Sequence, residues 1–304
     1  MAVNVSQDVS GPSGTSPSGQ RVKRPLFRRP SLRRLLIVAL CTYAGVIVLV
    51  GLLQSKLIYF PSRVLEQTPV DVGLKFDDVT LTTHDNVRIS AWFVPCADAR
   101  TTVLFFHGNA GNNGDRLPEL KLLHSLQYNV MIVDYRGFGK SSGRPSENGT
   151  YLDALAAWEH LTQARALAAR EIVIVGESIG GAVAIELARR ERPGALIVQS
   201  SFTRLADVAA IHYPLLPVRL LLRHRYDSID KVGGITCPKL FFHSTDDSLI
   251  PITNGRAIFD AAAEPKQFAE TPGDHNGGGF MYSDEYAARL RDFIDTALPA
   301  ESGG

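Results

Sequence analysis

Three cysteines are too few for a disulfide framework, and none stands in Cys-x-x-Cys spacing. Cys41 lies in an apolar run. Cys96 and Cys237 could pair only in an oxidising compartment, and they would flank strands set far apart in the sheet expected below. No His-x-x-x-His occurs, so a metal site made from Asp246, Asp247, Asp274 and His275 would rest on residue types alone. No metal and no cofactor are expected. A charge excess of one sign is also missing: 32 Lys and Arg meet 31 Asp and Glu, for a net +1. The balance is uneven along the chain. Residues 1–34 hold seven basic residues against the single acid Asp8, a local +6 that leaves −5 for the remainder. That argues against a nucleic-acid surface on the globular part. No internal repeat is evident.

What is present begins with a segmented N-terminus. Residues 1–20 are mostly Ser, Gly, Pro and Thr and read as a disordered tail, with Arg21 to Arg34 as a basic flank, so 1–34 forms one basic tail. Leu35–Leu53 is 19 residues without a charge. As a helix it would span about 28 Å, the thickness of a hydrocarbon core. A cleaved signal peptide is the rival, but no small-x-small site follows in Gln54-Ser-Lys-Leu-Ile-Tyr-Phe-Pro61. The segment therefore reads as a transmembrane anchor contacting the bilayer. The Arg flank predicts a cytoplasmic N-terminus, with residues 54–304 extracytoplasmic. Residues 54–74 read as a juxtamembrane linker, with Tyr59 and Phe60 suited to the interface.

From Lys75 to residue 300 the pattern is that of one domain with alternating elements. Asp78–Thr82 and Val87–Val94 read as antiparallel strands around His84-Asp-Asn86. Thr102–Phe106, Val130–Asp134, Ile172–Val175, Ala195–Gln199, Lys239–His243 and Lys266–Glu270 read as parallel strands. Helices are expected at Leu117–Leu126, Tyr151–Leu167, Gly181–Arg189, from Asn254, and at Glu285–Leu298. The sum is an α/β fold with an eight-stranded, mostly parallel sheet and helices on both faces. Residues 201–237 break the rhythm and read as a small lid.

The chain is organised around Glu171-Ile-Val-Ile-Val-Gly-Glu-Ser-Ile-Gly-Gly-Ala, a buried strand passing into a helix through Gly176-Glu-Ser178-Ile-Gly180. A serine on so tight a strand-to-helix turn is a nucleophile elbow, and glycine on either side removes the Cβ atoms that would collide. The pentapeptide alone is weak. A second copy, Gly139-Lys-Ser-Ser-Gly143, runs into Arg144-Pro145 with no helix after its serine and reads as loop. It is no phosphate-binding loop either, because Asp134 stands where a glycine is required. Context selects Ser178.

A serine hydroxyl needs a base and something to orient that base. After the strand ending at His243 comes Ser-Thr-Asp-Asp-Ser-Leu-Ile-Pro251. After the strand ending at Glu270 comes Thr-Pro-Gly-Asp-His275-Asn-Gly. Both lie beyond strand C-termini, on the same edge as the elbow. Ser178 is read as nucleophile, His275 as general base and then acid, and Asp247 as the orienting acid, with Asp246 as its competitor. Oxyanion-hole donors are expected from the backbone N–H of Ile179 and of Asn109, with Ala110 the alternative to Asn109. His107 is read as a turn-stabilising hydrogen bonder, and Asp134-Tyr-Arg-Gly-Phe-Gly139 as a structural turn. The apolar run Ile211–Leu222 sits beside this edge, and Tyr213, Leu215 and Leu216 are candidates to line an acyl channel. Packing on the body is the competing role.

These residues together resemble the α/β-hydrolase superfamily of serine hydrolases, over about residues 53–298. The nearer likeness is to the membrane-anchored branch that includes lysophosphatidylserine lipases and protein depalmitoylases. It rests on Leu57-Ile-Tyr-Phe-Pro61, His107-Gly-Asn-Ala-Gly-Asn112, Asp134-Tyr-Arg-Gly-Phe-Gly-Lys-Ser141, Gly176-Glu-Ser-Ile-Gly-Gly181, Arg225-Tyr-Asp-Ser228, Asp247-Ser-Leu-Ile-Pro251 and Gly273-Asp-His-Asn276. The resemblance implies the α/β-hydrolase fold and the same set Ser178, Asp247 and His275. Ser244 departs from the glycine more usual before the acid, which bears on loop shape. The expected activity is cleavage of a carboxylic ester or thioester, in a lysophospholipid or other acylated substrate, through an acyl-enzyme. An aminopeptidase-like activity and a catalytically silent binding module are the alternatives.

Overall fold

Strands that are apolar on both faces must be covered on both sides, and the chain does this with one sheet and two layers of helix. The computed structural model describes residues 11, 31–97, 99–275 and 283–299. Most of the tail expected over 1–34 lies outside these residues, as do Asn276 and residue 300. The chain divides into two units, residues 1–45 and 46–304. Of the first, the described part is Gly11, Ser31 and the N-terminal half of helix α1, which runs Leu32–Ile58 in all. At 27 residues α1 is longer than the expected 35–53, and the most apolar window has a mean hydropathy of 2.7 with none of it buried. No breaker interrupts Gln54-Ser-Lys-Leu-Ile58, so the helix continues until Pro61 restricts the residue before it to extended backbone.

The start of the supposed linker is therefore helix. Gln54 and Ile58 are buried, and Tyr59 is only 4% exposed. Tyr59 does not face an interface: its hydroxyl bonds that of Tyr226 at 2.7 Å. Phe60, at 55% exposed, remains at the surface. Strand β1 (Phe60–Pro61) then pairs in parallel with β5 (Ala110–Gly111), a two-residue sheet that no alternation in the sequence signals.

The large sheet contains β2 (Asp77–Thr82), β3 (Arg88–Val94), β4 (Thr102–Phe106), β6 (Asn129–Val133), β7 (Ile172–Glu177), β8 (Ala195–Gln199), β9 (Lys239–Ser244) and β10 (Lys266–Thr271). Its order is β10-β9-β8-β7-β4-β6-β3-β2. The six strands from β6 to β10 run parallel, and β3 and β2 add antiparallel at one edge. This is the expected eight-stranded sheet. Alternate residues feed opposite cores: Leu104, Phe106, Ile172 and Ile174 pack on one face, Val103, Phe105, Val173 and Val175 on the other. Helices α3 (Glu147–Glu159) and α4 (Ile179–Glu191) cover the first face, and α2 (Leu117–Ser125) and α8 (Asp284–Ala297) the second.

Helix α3 starts four residues before the expected Tyr151, because Ser146 caps it by accepting from Gly149 N–H at 3.2 Å. It gives way to a π-turn over His160–Ala164. Between β8 and β9, α5 (Leu205–His212) and α6 (Val218–Leu221) occupy the proposed lid. Helix α7 (Ile252–Ala261) begins just before the expected Asn254. All three cysteines are free, and Cys96 and Cys237 adjoin β3 and β9, which four strands separate.

Candidate active site

The site grows from the backbone at the end of β7. Ser178 has φ 54° and ψ −117°, a conformation that L-residues avoid, and α4 begins at the next residue. The surroundings over-determine this turn. Ser178 N–H donates to Gln199 O at 2.9 Å, and Ser178 O accepts from Ser201 Oγ at 2.8 Å and Gly181 N–H at 3.0 Å. A Cβ on Gly180 would come within 2.1 Å of Phe106 O, and one on Gly176 within 2.2 Å of Gly180 O. The elbow thus needs its flanking glycines for close approach of backbone.

Two loops beyond β9 and β10 bring their side chains to the same edge. His275 Nε2 lies 3.1 Å from Ser178 Oγ, and His275 Nδ1 lies 2.7 Å from Asp247 Oδ2. The other carboxylate oxygen, Asp247 Oδ1, accepts from the N–H groups of Leu249 (3.0 Å) and Ile250 (2.7 Å). A carboxylate only accepts, so Nδ1 of His275 carries the proton and Nε2 presents its lone pair to Ser178. Asp247 is buried, whereas Asp246 is exposed and accepts from Gly273 N–H at 3.4 Å. Geometry thus separates two adjacent acids that composition leaves equivalent.

Two further residues hold these loops. Ser244 Oγ donates to Gly273 O and accepts from Asp246 N–H at 3.1 Å, so one hydroxyl joins the Asp247 loop to the His275 loop. Its only sequence signal was the departure from glycine. Buried His243 donates Nε2–H to Ile250 O at 2.7 Å, with Nε2 3.6 Å from Asp247 Oδ2. Burial pushes its pKa down, which keeps it neutral beside the acid.

The loop after β4 closes the site. A Cβ on Gly108 would sit 3.8 Å from Ser178 Cβ, so Asn109 follows directly beside the elbow. The N–H of Ile179 is the first of α4 and has no carbonyl partner within the helix, at the end where the helix dipole is positive. His107 is fully buried and donates Nδ1–H to Gly108 O at 2.7 Å. Burial lowers its pKa to about 3. Tyr213, Leu215 and Leu216 lie in the turn between α5 and α6, with Tyr213 and Leu215 exposed and Leu216 half-buried. Their segment meets the site through His212, whose Nε2 bonds Leu249 O at 2.9 Å.

Asp134 anchors the neighbouring turn. It is buried, 3.8 Å from His107 Nε2, and accepts from Asn113 N–H at 2.8 Å. Burial dominates and raises its pKa from 3.8 to about 7. The folded state therefore binds a proton more tightly than the unfolded chain, so this stability is complete below pH 4 and is lost as pH rises to 7. Asp134→Asn keeps the acceptor for Asn113 and cannot ionise. The melting temperature of the wild type relative to this variant is expected to fall between pH 4.5 and 7.5. A difference independent of pH would refute the assignment.

The alpha/beta hydrolase fold model matches residues 101–216, a window that includes Ser178 and the His107–Gly111 loop but stops short of Asp247 and His275. Rv2307c of Mycobacterium tuberculosis, a protein of uncharacterised function, is 40% identical over 243 residues, covering 79% of this chain and 86% of that protein. The alpha/beta hydrolase domain-containing protein WAV2 of Arabidopsis thaliana is 33% identical over 72% of this chain and 79% of its own length. Among solved structures, the Pyrococcus furiosus esterase PF2001 superposes with a TM-score of 0.67 at 20% identity, over 79% of this chain and 98% of that one. With the sheet order, the elbow and these relatives in agreement, the chain belongs to the α/β-hydrolase family.

Proposed function

We propose that the protein is a membrane-tethered serine hydrolase that cleaves a carboxylic ester or thioester through an acyl-enzyme. The observation that carries this reading is the unbroken chain Ser178 Oγ, His275 Nε2, His275 Nδ1, Asp247 Oδ2, with links of 3.1 and 2.7 Å. Ser178 attacks the acyl carbon while His275 Nε2 takes its proton. The imidazolium, steadied by Asp247, then protonates the departing alcohol or thiol, and water repeats the sequence to release the acid. The N–H groups of Ile179 and Asn109 receive the negative charge that develops on the carbonyl oxygen. Tyr213, Leu215 and Leu216 offer an apolar wall for an acyl chain.

Helix α1 holds this chemistry at a bilayer, which favours a lysophospholipid or another acylated, membrane-borne substrate through local concentration. This agrees with the resemblance to lysophosphatidylserine lipases and protein depalmitoylases. The last helical turn speaks for a retained anchor over a cleaved leader. Gln54 Oε1 accepts from Arg223 N–H at 2.7 Å, and Ser55 Oγ lies 2.8 Å from His224 Nε2. Cleavage would strip these partners from the domain. The basic flank favours a cytoplasmic N-terminus, so a reporter fused after Gly304 should read as extracytoplasmic; cytoplasmic reporter activity would reverse the orientation.

The chemical test uses the full chain in detergent. A fluorophosphonate probe should label Ser178, and p-nitrophenyl esters or acyl thioesters should turn over faster than aminoacyl amides. Preference for the amides would make the protein aminopeptidase-like. A folded chain that never labels would leave a binding module on the same fold.

A further inference from the structure

The oxyanion loop and the end of the apolar helix are built as one piece. A helix leaves its last four carbonyls without intrahelical partners. One of these, Ile58 O, accepts from the side chain of Asn109, Nδ2 to O 2.8 Å, across 51 positions of sequence. The main chain returns the contact: Phe60 N–H donates to Asn109 O at 2.9 Å, and Ser62 N–H to Gly111 O at 2.9 Å. Residue 109 is therefore gripped by side chain and carbonyl together.

That grip sets directions. In a trans peptide the C=O and the following N–H point oppositely. Fixing Asn109 O toward Phe60 aims the N–H of Ala110 away from β1. The bond from His107 Nδ1 to Gly108 O aims the N–H of Asn109. The N–H of Ala110 is thus oriented through the Asn109 carbonyl, and the N–H of Asn109 belongs to a residue whose side chain and carbonyl are both held by the helix end. The loop's own sequence, Gly108-Asn-Ala-Gly111, offers little stiffness. Tyr59, the residue after the helix, is held by the buried hydroxyl pair with Tyr226.

We infer that the C-terminal end of the apolar helix is a positioning element of the active site, in which Asn109 through its side chain and Phe60 through its N–H align the oxyanion donors. The end of the helix at Ile58 then does more than tether: its bonds to the loop at Asn109 bear on the rate of the chemical step. This rests on the reading of Ser178 as nucleophile.

The test compares the full-length protein in one detergent with Asn109→Ala, which keeps the backbone N–H but removes the bond to Ile58, and with Phe60→Pro, which removes the donor to Asn109 O. A misaligned donor should lose part of the 10²–10³-fold associated with a whole one. Each variant should therefore show kcat down about 10- to 100-fold, with KM within about twofold. An alkyl boronic acid, whose tetrahedral adduct with Ser178 places an oxygen in the oxyanion hole, should bind more weakly by a similar factor. The double variant should be little worse than either single, since both release the same loop. Leu57→Ala, on the exposed side of the same turn, should leave kcat unchanged. Should Phe60→Pro fail to fold, Asn109→Ala and the boronate decide. Wild-type kcat and boronate affinity in a folded Asn109→Ala would overturn the inference while leaving the hydrolase reading intact. A wild-type protein that neither labels nor hydrolyses would remove both.

Discussion

Ser178→Ala is expected to lower kcat for a p-nitrophenyl ester by about 10⁶-fold and to abolish fluorophosphonate labelling. The size follows from the role: without Oγ there is no acyl-enzyme, and the imidazole of His275 faces water in place of an alkoxide precursor. What survives should come from the oxyanion hole and from binding alone, about 10³–10⁴-fold over the uncatalysed reaction. The fold should not notice the change. Alanine keeps the Cβ, and the φ of 54° is imposed by bonds from Gln199, Ser201 and Gly181 to the backbone rather than to Oγ. A melting temperature near wild type with activity gone is the expected pair of results. Retention of more than about a thousandth of the turnover would mean that another group does the chemistry.

Asp247→Asn should cost about 10⁴-fold in kcat at neutral pH, again without unfolding. Its amide oxygen can still accept from the N–H groups of Leu249 and Ile250, so the loop is preserved. Its amide nitrogen would then face His275 Nδ1. Two donors cannot meet there, so the imidazole adopts the other tautomer, with the proton on Nε2 and no lone pair for Ser178. The matched control is Asp246→Asn. Asp246 is exposed and its carboxylate accepts at 3.4 Å from Gly273 N–H, so this change should alter kcat by less than about threefold. Equal losses at 246 and 247 would reject the geometry as the working one.

The contrast between these neighbours marks where sequence reading runs out. Ser178 was legible because everything that makes an elbow is local: four β-branched residues, two glycines at fixed offsets and an Ala-rich helix. His275 and an acidic pair were legible as residues at strand C-termini, since alternation of strand and helix puts those ends on one edge. Which of Asp246 and Asp247 turns inward depends on how the loop folds over Ile250, a contact made through His243 and two backbone N–H groups. Ser244 looked like a deviation from a pattern, and its bond to Gly273 became visible only when the loops after two successive strands lay side by side.

The N-terminal segment shows the same division. Uncharged length was enough to predict a helix that can cross a bilayer, because that property depends on composition over a single run. Where the exposed apolar run ends and the part bonded to the domain begins depended on Tyr226, Arg223 and Asn109, residues 51 to 169 positions away that bond the last helical turn or the residue after it. Periodicity carries burial, and short motifs carry local backbone geometry, so strands, elbow and apolar helix could be written from the chain alone. Hydrogen bonds between distant loops leave no periodic trace, and only the folded sheet decides which carbonyl meets which donor.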